Sequence, residues 1–133
     1  MKVFLDTNVW LSATVFAGLC EAILTEAAQR SALLTTRLVQ QEAHEVLQRK
    51  FPHLPQAKAL FDAIWDEAEC APDVAEPADD NDARLVRAAQ AAGATVFVTG
   101  DRRVLGRGMQ GSMQILSPRE AWMQLFAVGS DPN

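Results

Sequence analysis

The sequence predicts an α/β domain, a mostly parallel sheet covered by helices on both faces. Short apolar runs stopped by turn residues alternate along the chain with segments of helical periodicity. A length of 133 residues suits one domain with a real core, and 49% hydrophobic residues is ordinary for a folded protein. The apolar runs also end in acids, and this sets the search for a site.

Lys2 to Leu5 reads as a buried strand, stopped by an Asp6-Thr7-Asn8 turn. Leu19, Cys20, Ile23, Leu24 and Ala27 recur at helical spacing. Ala32 to Thr35 is a second strand. Arg37 to about Lys50 is an amphipathic helix capped by Thr36, and the Phe51-Pro52-His53-Leu54-Pro55 stretch breaks it. Ala57, Leu60, Phe61, Ile64 and Trp65 mark a third helix. Glu69 to Val74 is a weak strand interrupted by Pro72. After a polar loop from Pro77 to Asn81, a helix runs from Asp82 to Ala92 and stops at Gly93. Thr95 to Val98 is a strand rich in β-branched residues. Gly106 to Gly111 reads as a mobile loop and Met113 to Leu116 as the last strand. Ser117-Pro118-Arg119-Glu120 is a capping box that opens a helix to Phe126. One domain over 1–128 with a frayed tail over 129–133 completes the expectation.

No apolar stretch is long enough to span a bilayer, and the N-terminus lacks the pattern of a signal peptide. Cys20 and Cys70 read as reduced core residues of a cytoplasmic protein. The net charge of −5 argues against broad coating of nucleic acid. It leaves room for a nuclease, because bound cations would neutralise several acids.

Four acids stand out. Asp6 directly follows the first strand, and Asp101 follows the Thr95 to Val98 strand at the same edge of the sheet. Glu42 has Leu38, Val39 and Val46 as helical neighbours and lies within an apolar face. Asp82 is followed at helical spacing by Leu85, Val86 and Ala89, whereas Asp80 points away. Asp79 is either the helix cap or an outer ligand. Singly, each acid has an ordinary explanation as a turn former or a helix N-terminal anion. Four carboxylates meeting at one edge would repel unless protonated or bound to a cation. An oxygen-only donor set favours Mg²⁺ or Mn²⁺ over Zn²⁺. His44 and His53 read as surface residues. Trp10, Trp65 and Trp122 read as core or interface residues, and Arg84 and Arg87 as solvent-facing.

Val3-Phe4-Leu5-Asp6-Thr7-Asn8-Val9, Glu42 on its helix, the run from Asp82 to Ala89, and Val96-Phe97-Val98-Thr99-Gly100-Asp101 together resemble the PIN-domain ribonucleases. These include the VapC-type toxins of bacterial toxin–antitoxin pairs. The resemblance extends from Met1 to about Phe126. It implies a parallel α/β/α sandwich, often homodimeric, that cuts RNA with one or two divalent ions. It implies that Asp6, Glu42, Asp82 and Asp101 hold those ions, and that Thr7 and Asn8 support the first acid by hydrogen bonds. Thr99 and Asp79 complete the supporting set. Arg102, Arg103 and Arg107 are either contacts to an RNA backbone or an ordinary solvated loop. An antitoxin would be a separate protein. Two other readings compete. A haloacid-dehalogenase-type phosphatase needs Asp-x-Asp-x-Thr after the first strand, where this chain has Asn8 and Trp10. A non-catalytic RNA-binding module would bind whether or not the acids were changed.

Overall fold

The computed structural model describes residues 1–127, so the expected tail over 129–133 lies outside the described residues. The six strands are β1 (Val3–Leu5), β2 (Leu33–Thr36), β3 (Glu69–Ala71), β4 (Val96–Val98), β5 (Met109–Gln110) and β6 (Met113–Leu116). They form one sheet in the order β3-β2-β1-β4-β6-β5. All pairings are parallel except β5 with β6. Successive side chains of a strand point to opposite faces. Every residue of β1, β2 and β4 is buried, so both faces of the central sheet are covered. This is the expected α/β sandwich.

The covering helices are α1 (Thr7–Val15), α2 (Leu19–Gln29), α3 (Arg37–Lys50), α4 (Pro55–Trp65), α5 (Asn81–Ala91), α6 (Arg102–Leu105) and α7 (Pro118–Ala121). A π-helical turn over Trp122–Ala127 follows α7. Helix α1 packs on α2, α3 and α4, while α5 packs on β2. Phe4 and Phe97 are register partners on β1 and β4, and their rings stack with centroids 5.4 Å apart. Trp10 packs on Phe61 with centroids 4.9 Å apart. Each such buried ring contributes roughly 1.5–3 kcal/mol.

Several expectations need correction. The Asp-Thr-Asn segment does not simply turn; it opens α1 at once. That helix was invisible to periodicity because Thr7, Val9, Trp10, Leu11, Ala13 and Thr14 are all buried, leaving no polar stripe. Strand β3 stops at Ala71, before Pro72, because proline has no N–H for the ladder. Part of the expected mobile loop forms β5, which pairs with β6. Cys70 is exposed rather than buried, since β3 is an edge strand, and Cys20 is half-buried; both thiols are free. His53 is exposed, but His44 is half-buried, bonded to Asp62 at 2.6 Å and edge-on to Phe61. Thr36 precedes α3 without capping it. Asp73 supplies the cap by accepting from the Leu38 N–H at 3.2 Å, which leaves the Thr36 hydroxyl buried and unpartnered.

The consequence for function lies in the strand order. The connections turn one way from β1 to β2 and the other way to β4. A crevice therefore opens beyond the C-terminal ends of β1 and β4. Among the described residues no single helix is long and apolar enough to cross a membrane.

Candidate functional site

Asp6 stands at the crevice, one residue past β1. Its N–H donates to the Val98 carbonyl at 3.0 Å, continuing the sheet pairing. Its side chain caps α1 by accepting from the Val9 N–H at 2.9 Å. Its second carboxylate oxygen accepts from the Thr99 hydroxyl. Asp6 is only 8% exposed. Burial pushes its carboxyl up to about 6. Repulsion from Asp82 and Asp101 adds to this, while the Thr99 and Val9 bonds oppose it.

Asp101 lies level with it, past β4. Its N–H donates to the Thr99 hydroxyl oxygen at 3.0 Å, so Thr99 joins the two acids. Asp101 caps α6 through the Arg103 N–H at 2.8 Å. That N–H and the Arg103 guanidinium hold its carboxyl below the usual range.

Glu42 and Asp82 reach the same crevice from helices. Glu42 accepts from the Thr7 hydroxyl at 2.6 Å and from the Asn81 side-chain amide at 3.0 Å, which ties α3 to α1 and α5. Asp82 is in the first turn of α5. Its carboxyl is raised first by burial, then by Asp101, Asp80 and Glu42, and Arg103 opposes them. Asp6, Glu42 and Asp82 line one small cleft of about 120 Å³ with Thr7 and Asn8. Asp82 is also part of the wall of a larger, open cavity of about 590 Å³ that contains Asp79, Arg103 and Arg107.

Some assignments shift. Thr7 bonds Glu42, not Asp6. Asn8 is exposed at the cleft and makes no bond to Asp6; Val9 and Thr99 hold that acid instead. Asp80 rather than Asp79 caps α5, accepting from the Ala83 N–H at 3.0 Å. Asp79 is exposed in the larger cavity. Arg84 is half-buried and donates to the Val74 carbonyl at 2.7 Å; Arg87 donates to the Glu76 carbonyl at 3.2 Å. Together they fix the loop that leads into α5. Arg102 lies exposed on α6. Sequence reading missed Asn81 as a support for Glu42. The polar run before α5 was the available signal, but not which acid it would meet.

Among the described residues, no three His, Cys, Asp or Glu side chains form a ready-made metal-binding group. Three of the four carboxylates line the small cleft, and Asp101 lies close enough to Asp6 and Asp82 to repel both. Their chemistry nonetheless fits a hard divalent cation: all donors are oxygen, and Asp6 makes no ion pair among the described residues while buried beside other acids. Such an ion would offset the burial and the mutual repulsion that raise Asp6 and Asp82.

A PIN-domain family model matches residues 2–103, a span that contains Asp6, Glu42, Asp82, Thr99 and Asp101. No curated protein and no solved structure matches the chain. The family match removes the ground for the phosphatase reading, which rested on the first strand and its aspartate alone. The chain belongs to the PIN-domain family, whose members are in general metal-dependent nucleases.

Proposed function

We propose that this protein is an endoribonuclease and the toxin of a toxin–antitoxin pair, acting in the cytoplasm with Mg²⁺ or Mn²⁺. One observation carries the catalytic part. Asp6, Glu42 and Asp82 line one small cleft, Asp101 is joined to Asp6 through Thr99, and the most buried of the four has no cationic partner among the described residues. Asp6, Glu42, Asp82 and Asp101 would hold the ion. When bound, the ion supplies a Lewis acid and lowers the pKa of a water on it.

The chain's own residues do the rest. Thr99 fixes Asp6 and Asp101 relative to each other, and the Val9 and Arg103 N–H groups lock their orientations. Thr7 and Asn81 aim Glu42. Preset carboxylates do not reorganise when charge develops in the transition state, which is where such sites gain rate. Hydrolysis forms a bond from water oxygen to phosphorus and breaks the bond from phosphorus to the 3′ oxygen. The products are a 5′-phosphate and a 3′-hydroxyl. Arg107, which lines the larger cavity beside Asp82, and the exposed Arg102 would contact the RNA backbone. A homodimer and a separate antitoxin belong to the same reading.

The test is cleavage of labelled structured and single-stranded RNA with Mg²⁺, Mn²⁺ or EDTA, beside Asp6→Asn and Asp101→Asn. Metal-dependent cutting lost in both variants supports the nuclease. Cutting that persists at the wild-type rate in Asp6→Asn would exclude this site. RNA binding without cutting, unchanged in both variants, would favour the non-catalytic module.

A further inference from the structure

We propose that Arg103 is a tethered cation that holds the acidic crevice together in the metal-free protein and yields its place when a divalent ion binds. This rests on the reading that the four acids bind such an ion.

The geometry is specific to this arginine. Its main-chain N–H donates to Asp101 at 2.8 Å, which anchors the residue beside the crevice. Its guanidinium then turns back, with Nη2 at 3.4 Å from Asp101 and 3.8 Å from Asp82. One side chain thus bridges two carboxylates from different elements, the cap of α6 and the first turn of α5. Arg107 lines the same larger cavity but makes no ion pair among the described residues. Arg103 opposes the repulsion that raises Asp82 and pulls Asp101 down.

The bridge is also built to let go. The contact to Asp82 lies near the long limit of an ion pair, that to Asp101 is a long hydrogen bond, and the Arg103 side chain is 86% exposed. An exposed pair of this kind is weak and screened by salt. A divalent cation brings two charges to the same oxygens, so it should win the competition while the arginine swings into solvent. Arg103 therefore lowers the apparent metal affinity and keeps the empty crevice from spreading under its own charge. It acts on the site through Asp82 and Asp101 and is a positioning residue.

The test is Mn²⁺ titration by calorimetry and thermal melting of the full chain, with no RNA present. Wild type is compared with Arg103→Ala, Arg103→Lys, Arg107→Ala and Asp6→Asn. Arg107→Ala removes one positive charge from the same cavity without removing a bridge. Arg103→Ala should bind Mn²⁺ about fivefold tighter than wild type, the full value of one exposed pair. Arg103→Lys should fall between them, and Arg107→Ala should stay within about twofold of wild type, as expected for a screened charge. The gap between Arg103→Ala and wild type should close at high ionic strength. Equal affinity in Arg103→Ala and Arg107→Ala, or weaker binding in Arg103→Ala, would overturn the proposal while leaving the nuclease reading intact. Absence of Mn²⁺ binding in wild type and Arg103→Ala alike would overturn both.

Discussion

Asp6 and Asp101 hang from the ends of adjacent strands; main-chain N–H groups orient both carboxylates, and the Thr99 hydroxyl links the Asp6 carboxylate to the Asp101 N–H. Glu42 and Asp82 stand across the crevice on helices and are held by side chains alone: Thr7 and Asn81 on the first, Arg103 on the second. The strand side has its geometry built into the sheet. The helix side can adjust, because its partners are mostly exposed. A rigid half that sets position and a yielding half that adapts to an ion or a phosphate is a workable division for a site that must both bind and release.

The largest expected effect is on the rigid side. Asp6→Asn should lower cleavage by more than about 100-fold, beyond what outer-shell substitutions cost. It should also raise the metal-free melting temperature, since asparagine keeps the cap and loses the buried charge. A loss of stability instead would mean that the charged form of Asp6 is favoured by the fold.

The same charge predicts a pH effect. The Asp6 carboxyl is near 6 when folded, against 3.8 in its ordinary state. Below 3.8 it is neutral in both states and costs nothing. Between 3.8 and about 6 the unfolded chain gives up this proton while the folded protein keeps it, so stability is lost as pH rises through that window and levels off above it. At roughly 1.36 kcal/mol per pH unit, stability should fall by up to about 3 kcal/mol across that window. Asp82 shifts in the same direction and Asp101 in the opposite one. Urea denaturation of the metal-free protein at pH 4 and pH 7 measures this, and Asp6→Asn should flatten the slope.

Thr99→Val sharpens the contrast further. It removes one hydroxyl but loosens two acids, so activity should drop about 10- to 100-fold. Its counterpart on the yielding side is Asn81→Ala, which removes one exposed bond to Glu42. That should cost only about two- to fivefold, in line with a net hydrogen bond of about 0.5–1 kcal/mol. Equal losses in the two variants would erase the distinction between the halves.

All four acids were legible, on both sides of the crevice. Strand ends and helix starts are local signals, and Asp6, Asp82 and Asp101 could be placed from the runs beside them. Glu42 was visible because an acid interrupts an apolar face. What was hidden is how the side chains pair. That Thr7 serves Glu42, that Asn81 reaches across from α5, and that Arg103 folds back on two acids all depend on contacts between separate elements. Helix α1 was hidden for a different reason: a helix buried on nearly every side has no amphipathic pattern to read.

The bond between Asp6 and Thr99 spans ninety-three residues of chain. Strand β1 precedes β4 in the chain yet lies beside it in the middle of the sheet, so it waits for β4 before it can be enclosed. While the intervening residues are being made, the chain carries its first carboxylate without the hydroxyl and the acid that complete it. If the proposed RNA cleavage holds, the site stays incomplete until Thr99 and Asp101 have been made and β4 has docked beside β1.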